Sequence, residues 1–206
     1  MKGLLLKELY AVKKNCKLYI TTQAFFLLCF LLPGREVAMC SSFSACVMWS
    51  SISIALFAED DKSGWSRYIG VLPYSKAQIV SARYIISTVV QISFLLSMAV
   101  AQAVAMNFKG GFSLGEYLMY LSMLFLFSSA TYGLYPIRFR FGTRGLKMTA
   151  VIYGLIIATL FIIANIVIMT GIAITELKFA IVCIAAAAVY GLSWYLSIVF
   201  YKKREL

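Results

Sequence analysis

The sequence predicts an all-α, polytopic membrane protein: six transmembrane helices, an N-terminal amphipathic interface helix and a short helix in the first polar loop. Three observations predict it. Of the 206 residues, 62% are hydrophobic and only 13% charged, where a soluble domain carries about a quarter. The charges are segregated and leave six uncharged stretches, 18–34, 37–58, 84–108, 117–137, 148–175 and 179–201, each as long as the roughly 17–25 residues of a helical span. The basic residues are one-sided: Arg35, Lys109 and Lys178 lie on one side of the six-span layout and the other sixteen of the 19 on the opposite side. The positive-inside rule makes that richer side cytoplasmic, with both termini on it. Strands are a poor alternative, because barrel alternation is absent and lipid leaves no backbone group unpaired.

The whole chain, 1–206, reads as a single membrane domain. Residues 1–17 form the interface helix. Leu5, Leu9, Val12 and Cys16 share one face at helical spacing, and Lys7, Glu8, Lys14 and Asn15 lie opposite, toward headgroups. Spans one and two occupy 18–58. No small-residue cleavage site follows the first apolar run, so it is read as a span and not as a signal peptide. A polar loop covers 59–83, spans three and four 84–137, a basic loop 138–147, spans five and six 148–201, and a tail 202–206. The turns on the opposite side are short.

Missing chemistry narrows the function. No Asp, Glu, Lys, Arg or His lies inside a span, and the chain has no histidine at all. Ion-coupled carriers place an ionisable group at mid-membrane, serine proteases need a base, and metalloproteases need His and Glu at ligand spacing. No G-x-x-x-x-G-K-[ST] phosphate loop occurs. The five cysteines make no C-x-x-C pair, and no metal site is expected. Basic residues scattered over four short segments argue against nucleic acid. An enzyme with its own catalytic residues is therefore not expected. The polar groups within spans are neutral. Gln91, Met98 and Gln102 fall on one stripe of the third span with Ser87 and Leu95, and Asn165 lies in the fifth. They are either interhelical hydrogen-bonding groups or a candidate substrate path.

The loop "EDDKSGWSRYIGVLPYSKAQIVSARY", Glu59–Tyr84, is more structured than a link requires. A short helix over 61–71 is expected. Trp65, Tyr68, Ile69 and Leu72 share one face, Lys62, Ser66 and Arg67 lie elsewhere, and Asp60 and Asp61 sit near its start, where negative charge suits the helix dipole. Pro73 stops it. Ser75 and Gln78 then read S-x-x-Q, a capping box that starts the next helix. Composition alone leaves two uses open: an aromatic anchor in the interface, or a docking element.

The run Glu59, Asp61, Lys62-Ser63-Gly64-Trp65, Arg67-Tyr68, Leu72-Pro73, Ser75, Gln78-Ile79-Val80 and Arg83-Tyr84 resembles the first cytoplasmic loop of the bacterial type 2 ABC transporter permeases. The branch most similar is the small one that exports amphipathic peptides and bacteriocin-like toxins, and "MKGLLLKEL" resembles its N-terminal interface helix. The outer segment between the last two spans is much shorter than in larger relatives. The resemblance implies a permease of an exporter in the bacterial plasma membrane. It also implies that Asp60, Asp61, Lys62, Ser63, Gly64, Trp65, Arg67, Tyr68, Leu72 and Pro73 belong to a coupling-helix loop seated in a separate ABC ATPase. Two ATPase copies would carry ATP and magnesium, with none bound by this chain, and the permease would pair with a second copy or a paralogue among membrane lipids. A substrate-binding subunit of a vitamin importer and a non-transporting immunity or regulatory protein are the alternatives.

Overall fold

The computed structural model describes residues 2–29, 35–69, 73–108, 114–142, 145–169 and 176–203. The order is α1 (Lys2–Cys29), α2 (Arg35–Lys62), α3 (Trp65–Tyr68), α4 (Lys76–Phe108), α5 (Leu114–Ala130), a 3-10 turn (Tyr132–Leu134), α6 (Tyr135–Phe141), α7 (Gly145–Met169) and α8 (Glu176–Lys203). Among the described residues there is no strand. Among the described residues three stretches are long and apolar enough to cross a membrane, Lys76–Ala105, Tyr117–Phe141 and Glu176–Lys203, and Lys147–Ile163 is a shorter apolar helix. Many large side chains on α4, α7 and α8, such as Leu96, Val151 and Ile184, face outward, as expected of surfaces whose solvent is lipid.

Three sequence expectations change. The interface helix is not a separate element: α1 runs unbroken from Lys2 through residue 17 to Cys29. Its buried seam is Leu4, Glu8 and Tyr19, while Leu9 is exposed. The expected polar face is thus partly the buried one, because Glu8 has a partner inside the bundle. The expected helix over 61–71 is also different. It is α2 that continues through Lys62, and the separate helix is the single turn Trp65–Tyr68. Finally, the "basic loop" 138–147 is largely helical, with Arg138 and Arg140 on α6.

Local chemistry explains the breaks. Gly64 ends α2 in the left-handed region (φ 67°), which a side chain would resist. Ser75 and Gln78 form the expected capping box. The Ser75 N–H donates to Gln78 Oε1 at 3.1 Å and the Gln78 N–H to Ser75 Oγ at 3.2 Å, so two of the free donors at the start of α4 are satisfied. Between α5 and α6, Pro136 has no N–H for the Tyr132 carbonyl. The Tyr135 N–H closes a tighter 3-10 bond to that carbonyl instead, and the Ser193 hydroxyl donates to it from α8.

Among the described residues two buried clusters stand out. One joins Tyr19, Ala45, Ile52, Leu56, Phe94, Met98, Leu124 and Phe127 across α1, α2, α4 and α5. The other is aromatic, with Phe57, Tyr84, Tyr132, Tyr135, Phe139 and Tyr201 joining α2, α4, α6 and α8. Tyr84 stacks on Trp194 (5.8 Å between centroids, 9°) and meets Tyr135 edge-on at 4.8 Å. Its hydroxyl lies 2.6 Å from Ser193 Oγ and 2.7 Å from Ser197 Oγ. The aromatic cluster sits immediately beneath the charged residues of the candidate site.

Candidate functional site

Asp60 and Asp61 occupy the last turn of α2 and not the start of a new helix. There the helix dipole opposes them, so their charge needs cations from elsewhere. Only eight acidic residues exist in the chain, and Glu59, Asp60, Asp61 and Glu8 converge on this end of the bundle.

Arg83 on α4 supplies the central cation and is buried. Its Nη1 lies 2.9 Å from Glu8 Oε2 and its Nη2 pairs with Asp60. A guanidinium suits this position, because its rigid fork can hold two carboxylates at once. Lys7 pairs with Asp60 and, at 3.2 Å, with Glu8, and its ammonium stands 4.7 Å from the centroid of the Trp65 ring. Lys14, mostly exposed, reaches Glu59 at 2.6 Å. All three residues expected to line an interface-facing surface of α1 therefore bind inside the bundle or to the tip of α2.

Arg138 serves Asp61. It is buried on α6 and donates to the Asp61 carboxylate, to the Phe57 carbonyl at 3.3 Å and to the Gly142 carbonyl. Gly142 ends α6 with φ 57°, a region in which only glycine is at ease. The Phe57 ring lies between the two arginines, 4.8 Å from the Arg83 guanidinium and 5.5 Å from that of Arg138. Beside these groups is a cavity of about 80 Å³ lined by Asp60, Asp61, Trp65, Ile69, Arg83 and Arg138, among others.

α3 hangs from this framework. The expected common face of Trp65, Tyr68 and Ile69 is split: Trp65 and Ile69 line the cavity, and Tyr68 is 66% exposed. One helical turn is too short to present a stripe, so neighbouring side chains point to opposite sides. Lys62 and Ser63 are exposed and Pro73 closes the far end of the loop, exposed as well. Leu72 and the side chain of Arg67 lie outside the described residues. Tyr74 tucks its hydroxyl against Gly3, where an added Cβ would stand 3.0 Å from it, so α1 abuts the loop on its far side too.

The neutral stripe is elsewhere. Ser87, Gln91, Met98 and Gln102 all lie on the buried face of α4. Asn165 is exposed on α7, and its amide donates back to the Phe161 carbonyl at 2.8 Å. Asn165 therefore does not share the stripe's buried environment. Sequence reading missed Arg83 and Arg138 as site residues. The available signal was the crowding of scarce acids at one end of a basic chain, which requires buried cations opposite them.

A family model described as ABC-2 family transporter protein matches residues 3–202. No curated protein and no solved structure matches the chain.

Proposed function

The chain belongs to the ABC-2 transporter family, and from that premise we propose that it is the membrane-spanning permease subunit of an ABC exporter, driven by a separate ATPase. The observation that carries this reading is the segment from Asp60 to Ile69. It ends in a helical turn held on a network of paired charges, with one large aromatic, Tyr68, left facing outward. An interfacial anchor would need only aromatics at headgroup depth. It would have no use for Glu8, Asp60, Asp61, Arg83 and Arg138 locked behind it.

In this reading the six long helices are six spans and α3 is the coupling helix, on the cytoplasmic side of a bacterial plasma membrane with both termini. Tyr68 and Arg67 contact the ATPase. Trp65, under Lys7, instead fixes α3 to α1. Lys62, Ser63 and Gly64 form the turn that sets its angle, Pro73 closes the loop, and Leu72 is assigned to the same ATPase contact by the family resemblance alone. Two permeases, identical or paralogous, work with two ATPases that bind ATP and magnesium. ATP binding brings the ATPases together, displaces α3 and opens a path between the protomers. The substrate is amphipathic, a peptide or a lipid-like molecule, in keeping with an interior without ionisable groups at mid-span. The buried setting of Gln91, Met98 and Gln102 supports packing for that stripe over a path within one protomer.

The test is purification of the chain in mild detergent from its native host. An ABC ATPase should be recovered with it, and vanadate-sensitive hydrolysis should rise when an amphipathic peptide is added to the reconstituted complex. Recovery of the chain without any nucleotide-hydrolysing partner would contradict the reading.

A further inference from the structure

Two arginines grip adjacent acids at the tip of α2, but they come from unlike elements. Arg83 belongs to a 33-residue helix and binds Glu8 on a 28-residue one. Three long helices thus meet at it, and none can shift without dragging the others. Arg138 belongs to α6, only seven residues long and set off from α5 by the 3-10 turn at Tyr132–Leu134 and by Pro136. A helix interrupted in this way can swing about the break, because the bonds that would stiffen it are already replaced.

We infer that the Asp61–Arg138 pair is the joint that carries a displacement of α3 into the membrane bundle, whereas the Glu8–Arg83–Asp60 group is the fixed mount. The inference rests on the permease reading above. Four observations support it. α3 follows Asp61 after only Lys62, Ser63 and the left-handed Gly64, so a push on α3 is delivered to the last turn of α2. Arg138 holds that turn by its side chain and by the Phe57 carbonyl, and it also holds the Gly142 carbonyl at the end of its own helix. α6 packs in turn against α7 and α8, so its motion reaches both. The cavity of about 80 Å³ beside the pair, lined by Trp65, Ile69 and Phe139 among others, gives these side chains room to re-seat, which a close-packed interior would deny. Asp61 and Arg138 are thus positioning residues: they touch neither substrate nor ATP.

The experiment uses the complete permease–ATPase complex in a cysteine-free background. Spin labels are placed at Leu114→Cys and Arg140→Cys, both exposed, one at each end of the interrupted helix. Their separation is measured by electron paramagnetic resonance without nucleotide and after trapping with ATP and vanadate. The parent should show a shift on trapping. Asp61→Asn should recover as much ATPase as the parent and show no shift, and Asp61→Glu should restore it. If Asp61→Asn does not fold, Asp61→Ala with Arg138→Met removes both charges together, leaving no lone buried ion, and should give the same loss of shift. A full shift in the folded variant that lacks the pair would overturn the inference. So would loss of ATPase binding in that variant, since Asp61 would then be part of the docking surface. Failure of the parent itself to bind an ATPase would remove the permease reading, and the joint with it.

Discussion

Arg83 and Gln91 stand about two turns apart on α4, and both are almost fully buried, at 4% and 6% exposure. Arg83 is bound by carboxylates from two other helices and lies over a phenyl ring. The Gln91 amide nitrogen has no hydrogen-bond partner among the described residues. Lipid and protein interior penalise both groups, but very unequally. An unpaired buried ion costs far more than an unpaired amide, so a buried arginine persists only where the fold supplies its counter-charges. The charged end of the bundle is therefore geometrically determined, and the neutral stripe is loosely determined. In the permease reading this end of the bundle receives a mechanical input, and such a role needs the first kind of construction.

Substitutions can break that contrast. The largest effect is expected at Arg83. Arg83→Ala leaves Glu8 and Asp60 with only the less buried Lys7 between them, and breaking a buried pair of this kind is a loss of about 3–5 kcal/mol. It should appear as a large fall in the unfolding temperature of the detergent-solubilised protein, with poor folded yield. A smaller effect is expected in the aromatic layer. Tyr84→Phe keeps every ring contact and removes only the hydroxyl between Ser193 and Ser197, so about 1 kcal/mol should be lost. The smallest is expected at Gln91. Gln91→Leu removes an amide with an unfilled donor, and thermal stability should be unchanged or slightly raised, because interhelical polar contacts average only about 0.6 kcal/mol. If Gln91→Leu proved as damaging as Arg83→Ala, the distinction between the two regions would be lost.

Much of the fold was legible in the sequence because it follows from local physics. Uncharged stretches located the helices. The reciprocal bonds of Ser75 and Gln78 appear as the S-x-x-Q spacing foretold, and Pro73 falls between helices as expected. What was not legible depends on partners distant in the chain. Helical spacing on α1 placed Glu8 on the polar face. The fold buries it, because Arg83, 75 positions away, offers a counter-charge. The dipole rule put Asp60 and Asp61 at a helix start; instead α2 extends to include them, since Arg83, Arg138 and Lys7 offset the unfavourable end of its dipole. The shared face of Trp65 and Tyr68 was a property of a longer helix than the one that forms. Pattern rules apply within one element, and the misses at Glu8, Asp60 and Asp61 lie where a charge is answered from another.

The central claim is that the exposed side of α3 receives the ATPase while its inner side is fixed to the bundle. Tyr68 isolates the first half of that claim, since it is exposed and stands outside the ion pairs found among the described residues. The direct measurement is recovery of the ATPase by solubilised Tyr68→Ala permease, alongside the unfolding temperature of the same sample. An interface aromatic of this kind is often worth about 2 kcal/mol, so recovery should fall roughly 30-fold in affinity terms while the unfolding temperature stays at the parent value. Equal recovery at equal stability would contradict the account and return the loop between α2 and α4 to the role of an interfacial anchor.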